Sequence, residues 1–109
     1  MTISVREFGA ARVVDVGGEV DLGTSPDLRQ TLFDLLAKTS TLALNLKALR
    51  YIDSSGIATL IEVFKDAQRL QKRFVLFGLS PAVKDVFRLT HVNRIFRIVE
   101  TEEQAVTTA

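Results

Sequence analysis

Tyr51-Ile52-Asp53-Ser54-Ser55-Gly56-Ile57 marks a corner where a strand gives way to a helix, and this corner sets the fold class. Tyr51-Ile52 reads as a brief strand or turn. From Ile57 onward the apolar residues Ile57, Leu60, Ile61, Phe64 and then Ala67 or Gln68 recur at helical spacing, while Glu62, Lys65, Asp66, Arg69 and Lys72 fall on other faces. Asp and Ser are the residue types that cap a helix N-terminus, because a short side-chain oxygen can reach the unpaired backbone N–H groups there.

The same alternation continues on both sides of the corner. C-terminal to the long helix, Phe74-Val75-Leu76-Phe77 reads as a buried strand. Ser80-Pro81 opens a helix carrying Val83, Val86 and Phe87, and Ile95 to Val99 gives a last short strand. Thr101-Glu102-Glu103-Gln104 has the spacing of a capping box for a final helical turn. N-terminal to the corner, Leu42-Ala43-Leu44-Asn45-Leu46 reads as a buried central strand. It is preceded by a helix that starts at Gly23-Thr24-Ser25-Pro26, with Thr24 or Ser25 as N-cap. That helix carries Leu28, Leu32, Leu35 and Leu36 and ends near Lys38.

Ile3, Val5 and Phe8 alternate with polar residues in a half-buried strand. After a turn at Gly9-Ala10-Ala11, Arg12 to Val16 forms a second strand, broken at Gly17-Gly18 and resumed through Val20. Such a tight link predicts an antiparallel hairpin. The expectation is one α/β domain over residues 1–109, a mixed sheet of four to five strands packed with about four α-helices and a frayed end at Thr107-Thr108-Ala109.

Composition narrows the function classes. The absence of cysteine excludes disulfides, thiolate metal sites and cysteine nucleophiles, and is compatible with a reducing compartment. A formal net charge of +1 is too near neutral to suggest nucleic acid or an anionic membrane as partner. Lys65, Arg69, Lys72 and Arg73 cluster, but Asp66 interrupts them and Phe74 reads as core, so a solvated helix face is expected and no nucleic-acid site. The opening Met1-Thr2-Ile3-Ser4-Val5-Arg6-Glu7 lacks a signal-peptide layout, and no apolar run approaches the roughly 20 residues of a membrane span. A soluble cytoplasmic protein is the expectation. No Gly-Lys-Ser/Thr triplet is present, and His91 stands as the single histidine, so neither a phosphate-loop enzyme, nor a metal site, nor a cofactor is expected.

The Asp53-Ser54-Ser55-Gly56 corner carries the functional signal. Unpaired N–H groups and the positive end of the helix dipole favour an anion there, phosphate included. A serine in the first turn could accept a phosphoryl group without damage to the fold. Plain N-capping explains the same residues, and both roles can coexist when one hydroxyl caps while its neighbour stays exposed.

Residues 51–57 resemble the phosphorylation motif of STAS-domain anti-sigma-factor antagonists. Three further elements match that family in order. They are Gly18-Glu19-Val20-Asp21 followed by Thr24, the central Leu44-Asn45-Leu46, and Ser80-Pro81-Ala82-Val83-Lys84. The resemblance implies a bacterial partner-switching protein that is not an enzyme. Ser54 would be the phosphoacceptor, with Asp53, Ser55, Gly56, Asp21 and Thr24 around it, and Thr59 and Glu62 would be exposed on the docking face of the following helix. It implies that the unmodified protein binds an anti-sigma factor with GHKL-type serine kinase activity and so frees a sigma factor. The kinase then phosphorylates Ser54, and a PP2C-type phosphatase restores it. The competing reading is a non-phosphorylated STAS scaffold in a transporter or signalling complex.

Overall fold

The computed structural model describes residues 1–107, and Thr108 and Ala109 of the expected frayed end lie outside the described residues. Thr107 is ordered: its N–H and hydroxyl both donate to the carbonyl of Glu103, at 3.0 and 2.6 Å.

The strand β2 (Ala11–Val20) organises the sheet. It pairs antiparallel with β1 (Thr2–Phe8) from Phe8↔Ala11 to Thr2↔Gly17, which is the expected hairpin. On its other side it pairs parallel with β3 (Thr41–Asn45) over Ala11–Asp15, and then with β4 (Leu49–Ile52) from Gly18↔Leu49 to Val20↔Ile52. The break expected at Gly17-Gly18 is therefore a change of neighbour within one continuous strand. Gly18 takes φ +82°, a conformation costly for any residue with a Cβ, and its N–H donates to the Ala48 carbonyl at 3.0 Å where the register shifts. With β5 (Arg73–Phe77) and β6 (Arg97–Val99) the order is β1-β2-β3-β5-β6, with β4 alongside β2. This makes six strands among the described residues where four to five were expected, because the turn at 46–48 separates β4 from β3 as a strand of its own.

The helices α1 (Ser25–Lys38), α2 (Ser54–Arg69) and α3 (Pro81–Leu89) cover the sheet face bearing Val14, Val16, Leu42, Leu44 and Leu76. Leu28, Leu32 and Leu36 of α1 and Leu60, Val63 and Ala67 of α2 meet there in one core. Phe87 and Phe64 both pack on Phe96, at ring separations of 5.7 and 5.8 Å. Ser80 fixes the entry to α3, accepting from Val83 N at 3.3 Å and donating to the Leu49 carbonyl at 2.6 Å. Phe96 stands before the last strand, which is shorter than expected because the N–H groups of Ile95 and Phe96 both donate to the Val92 carbonyl, at 2.9 and 3.3 Å, and so stay in the turn that follows α3.

The opposite face carries Val13, Ala43, Val75 and Phe77, the inward positions of the other parity, and among the described residues only α4 (Glu102–Val106) covers them. The capping box is present, Thr101 Oγ1 accepting from Gln104 N at 3.2 Å and Gln104 Oε1 from Thr101 N at 3.1 Å. One turn of helix cannot hold itself. Arg6 supplies the tie, bonding Asp15 at 2.7 and 2.8 Å and Glu102 at 2.6 and 3.1 Å, while Arg73 donates to the Ala105 carbonyl at 2.6 Å. These groups are partly exposed, so the pairs are worth about 1 kcal/mol or less each. Arg6→Ala is expected to lower stability by roughly that amount and to speed hydrogen exchange in α4, with exchange in β3 and β5 unchanged.

Candidate functional site

Asp53 is the hinge between sheet and helix. Its N–H donates to the Val20 carbonyl at 3.1 Å, extending the β2–β4 ladder, and its extended backbone then turns into α2. Its carboxylate caps that helix, Oδ1 accepting from Ser55 N at 2.9 Å, Gly56 N at 3.2 Å and Ser55 Oγ at 2.5 Å. These bonds favour the charged form. The Asp53 carboxyl is held below the usual carboxylate range, chiefly by the Ser55 hydroxyl, against some desolvation, with help from the backbone N–H groups of Gly56, Ser55 and Leu22.

The two serines are thereby distinguished. Ser55 is half-buried and its hydroxyl is committed to Asp53. Ser54, the first residue of α2, is exposed, and among the described residues its hydroxyl has no protein partner. Gly56 completes the corner by permitting close approach. A Cβ there would lie 2.7 Å from Ile52 Cγ1 and 2.7 Å from Val20 Cγ1, so α2 sits directly on β2 and β4 because position 56 is bare.

The loop between β2 and α1 runs beside this corner, since Val20 pairs with Ile52 and the next residues of both strands leave the sheet together. Asp21 orders the loop. Its Oδ1 accepts from Gly23 N at 3.0 Å and Thr24 N at 3.1 Å, and Thr24 Oγ1 accepts from Asp21 N at 2.9 Å. Thr24 is the N-cap residue of α1, one of the two expected there, but its hydroxyl points back into the loop and makes no capping bond to the helix. Asp21 itself serves its own loop's donors.

Thr59, expected on the exposed face of α2, is instead buried, at 5 % exposure. Gly56, Leu60, Val63 and Ala67 set the buried stripe, and Thr59 lies on its flank; its polarity misled the assignment. Val63 belongs to that stripe and was missing from the expected set. The exposed face carries Ser54, Ala58, Glu62 and Lys65. Glu62 is exposed as expected but paired, accepting from Arg29 Nε of α1 at 2.8 Å, and the same guanidinium lies 4.8 Å over the Phe33 ring. Leu22, which the sequence did not single out, stands in the ordered loop with its side chain 76 % exposed.

A family model described as the STAS domain matches residues 2–105. The chain belongs to the STAS domain family. It is 29 % identical to the anti-sigma-B factor antagonist of Listeria monocytogenes over 104 residues, 94 % of this chain and 91 % of that protein. Among solved structures it is similar to an anti-sigma factor antagonist from Mycobacterium paratuberculosis, with a TM-score of 0.86 at 25 % identity, covering 96 % of this chain and 90 % of that one. It also shares its fold with the Bacillus cell fate determinant SpoIIAA in the phosphorylated form, with a TM-score of 0.73 at 20 % identity over 96 % of both chains. Within the described residues of this STAS domain, no helix is long and apolar enough to cross a membrane.

The two depressed carboxyls of the STAS domain give its acid response a definite sign. Asp15, held low chiefly by its hydrogen bond from Arg6, and Asp53 both titrate below their unfolded values. Each contributes stability above the unfolded pKa, near 4, that is lost as pH falls through the folded value. Urea unfolding midpoints are expected to hold steady from pH 8 to 5 and fall below about pH 4. Asp53→Asn, which keeps an N-cap but removes one titration, is expected to make that fall shallower.

Proposed function

We propose that this chain is an anti-sigma-factor antagonist that docks on an anti-sigma factor through the Ser54 corner and is released by phosphorylation of Ser54. One observation carries the reading. At the mouth of α2 a free, exposed hydroxyl at Ser54 stands next to a hydroxyl at Ser55 that Asp53 holds. A kinase meets Ser54 first, and the helix N-terminus accommodates the phosphate once it is made. The names borne by the Listeria and Mycobacterium relatives support the partner class. The partner in this reading is an anti-sigma factor with GHKL-type serine kinase activity, a PP2C-type phosphatase reverses the modification, and the exchange takes place in the cytoplasm.

The docking face joins Ser54, Ala58 and Glu62 of α2 to the loop from Asp21 to Thr24. A phosphoserine adds about −1.5 to −2 charges at neutral pH. Such a charge is tolerated in solvent and costly inside an interface, so modification separates the partners without a change of backbone. Incubation with the anti-sigma kinase and ATP, followed by peptide mass spectrometry, is expected to place one phosphate on Ser54, and Ser54→Ala is expected to take none. Phosphate on Ser55, or on neither serine, would remove this assignment.

A further inference from the structure

We infer that Leu22 is the apolar anchor of the docking face, seated in an apolar pocket of the anti-sigma factor, and that phosphate on Ser54 breaks the complex by making the surroundings of that anchor too costly to dehydrate. The inference rests on the docking reading above and deepens it. Of the large apolar side chains on the described surface, Leu22 is the most exposed, at 76 %. Exposure alone says little, since single surface leucines are common. The position is what matters. Leu22 lies two residues beyond Val20, which pairs with Ile52 and whose carbonyl accepts from Asp53 N at 3.1 Å, and this places the residue at the Ser54 corner.

The loop that carries it is ordered. Asp21 N donates to Thr24 Oγ1 at 2.9 Å, the N–H groups of Gly23 and Thr24 donate to Asp21 Oδ1 at 3.0 and 3.1 Å, and Ser25 N donates to the Asp21 carbonyl at 2.8 Å. An apolar side chain presented on such a loop loses little freedom on binding, which is the condition for an efficient anchor. The polar groups around it serve their own loop, so the leucine is what the loop offers outward.

The same placement explains how a phosphate can act without a dedicated repelling group on the partner. Anchors contribute when water is excluded around them. A dianion on the adjacent corner must either be stripped of water with the leucine or keep its water and hold the pocket open. Either outcome removes the gain from burying Leu22. Charge repulsion across the interface predicts a different salt response, because added salt screens exposed charges but does not lower the cost of dehydrating one.

The test measures binding of the purified chain to the purified anti-sigma factor of the same organism by titration calorimetry, for wild type, Leu22→Ala, Phe8→Ala and the Ser54-phosphorylated protein. Leu22→Ala is expected to bind about 10–100-fold more weakly, the range for losing a buried leucine side chain. Its unfolding midpoint is expected to match wild type. Phe8→Ala, at an exposed apolar residue that ends β1 opposite Ala11 and so lies away from the Ser54 corner, is expected to bind as wild type. The deficit of the phosphorylated protein relative to wild type is expected to persist between 0.1 and 1 M salt. Leu22→Ala within twofold of a binding wild type overturns the anchor while the docking reading stands. Recovery of the phosphorylated protein to wild-type affinity at high salt overturns the dehydration mechanism. A wild type that binds no anti-sigma factor removes the docking reading and the anchor with it.

Discussion

Ser54→Asp is expected to lower affinity for the anti-sigma factor at least a hundredfold while leaving the folded domain as stable as wild type, or slightly more so. The two effects have opposite signs because the same charge meets different surroundings. In the free protein, position 54 is the first residue of α2, exposed, and beside helix N–H groups. A carboxylate in a first helical turn gains about 0.3–1 kcal/mol from the dipole. The neighbouring Asp53 charge offsets part of that gain, and solvent screens the rest. In the proposed complex the side chain lies in the docking face. Dehydrating an unpaired charge costs several kcal/mol. A micromolar complex is worth only about 8 kcal/mol, and each 1.4 kcal/mol removes a factor of ten. A loss of about 3 kcal/mol is therefore a conservative outcome. Ser54→Ala, which adds no charge, is expected to bind within a few-fold of wild type. Calorimetric titration with thermal unfolding on the same samples checks both signs, and an aspartate variant that binds as tightly as serine would rule out release by charge at this position.

The corner was legible in sequence because its determinants are local. Asp53 caps by reaching two and three residues ahead, a short-range rule, and the start of α2 at Ser54 follows from it. The buried strands were legible for a related reason. Leu42-Ala43-Leu44 and Phe74-Val75-Leu76-Phe77 are covered on both faces and so read as unbroken apolar runs. What escaped depends on contacts distant in sequence. The fate of Gly17-Gly18 is decided by Ala48, about thirty residues on, where β4 replaces β3 as neighbour. The burial of Thr59 is set by how α2 seats on the sheet. The distinction between Ser54 and Ser55 is local, but it rests on which hydroxyl rotates toward Asp53, so the residues alone left it open and only the family resemblance pointed to Ser54. Arg6 reads as an ordinary surface charge until α4 returns Glu102 to it from the other end of the chain.

Gly56→Val is expected to be the most damaging small substitution at the corner, lowering stability by about 3 kcal/mol and the unfolding midpoint by roughly 10–20 °C. A Cβ at position 56 would lie 2.7 Å from Ile52 Cγ1, 2.7 Å from Val20 Cγ1 and 3.1 Å from Ile52 Cδ1. Val20 is wholly buried and Ile52 nearly so, in paired positions of β2 and β4, so neither can swing aside into solvent. Gly56→Ala separates the two forces at work. It gains up to about 1 kcal/mol of helix propensity and loses about 1–3 kcal/mol to overpacking, so a smaller net loss is expected. Ile52→Ala, which costs about 2–5 kcal/mol alone, opens the space that the new methyl group needs. The double variant is then expected to be at least 1 kcal/mol more stable than the sum of the single losses predicts, with Val20 limiting the rescue. Strict additivity would mean that position 56 does not meet Ile52. The consequence for function follows from geometry, because α2 relieves the contact by lifting its first turn away from β2 and β4. That motion carries Ser54 away from the loop of Asp21 and Leu22. Binding of Gly56→Ala to the anti-sigma factor, measured where the variant is fully folded, is therefore expected to be weaker than wild type although its exposed side chains are unchanged.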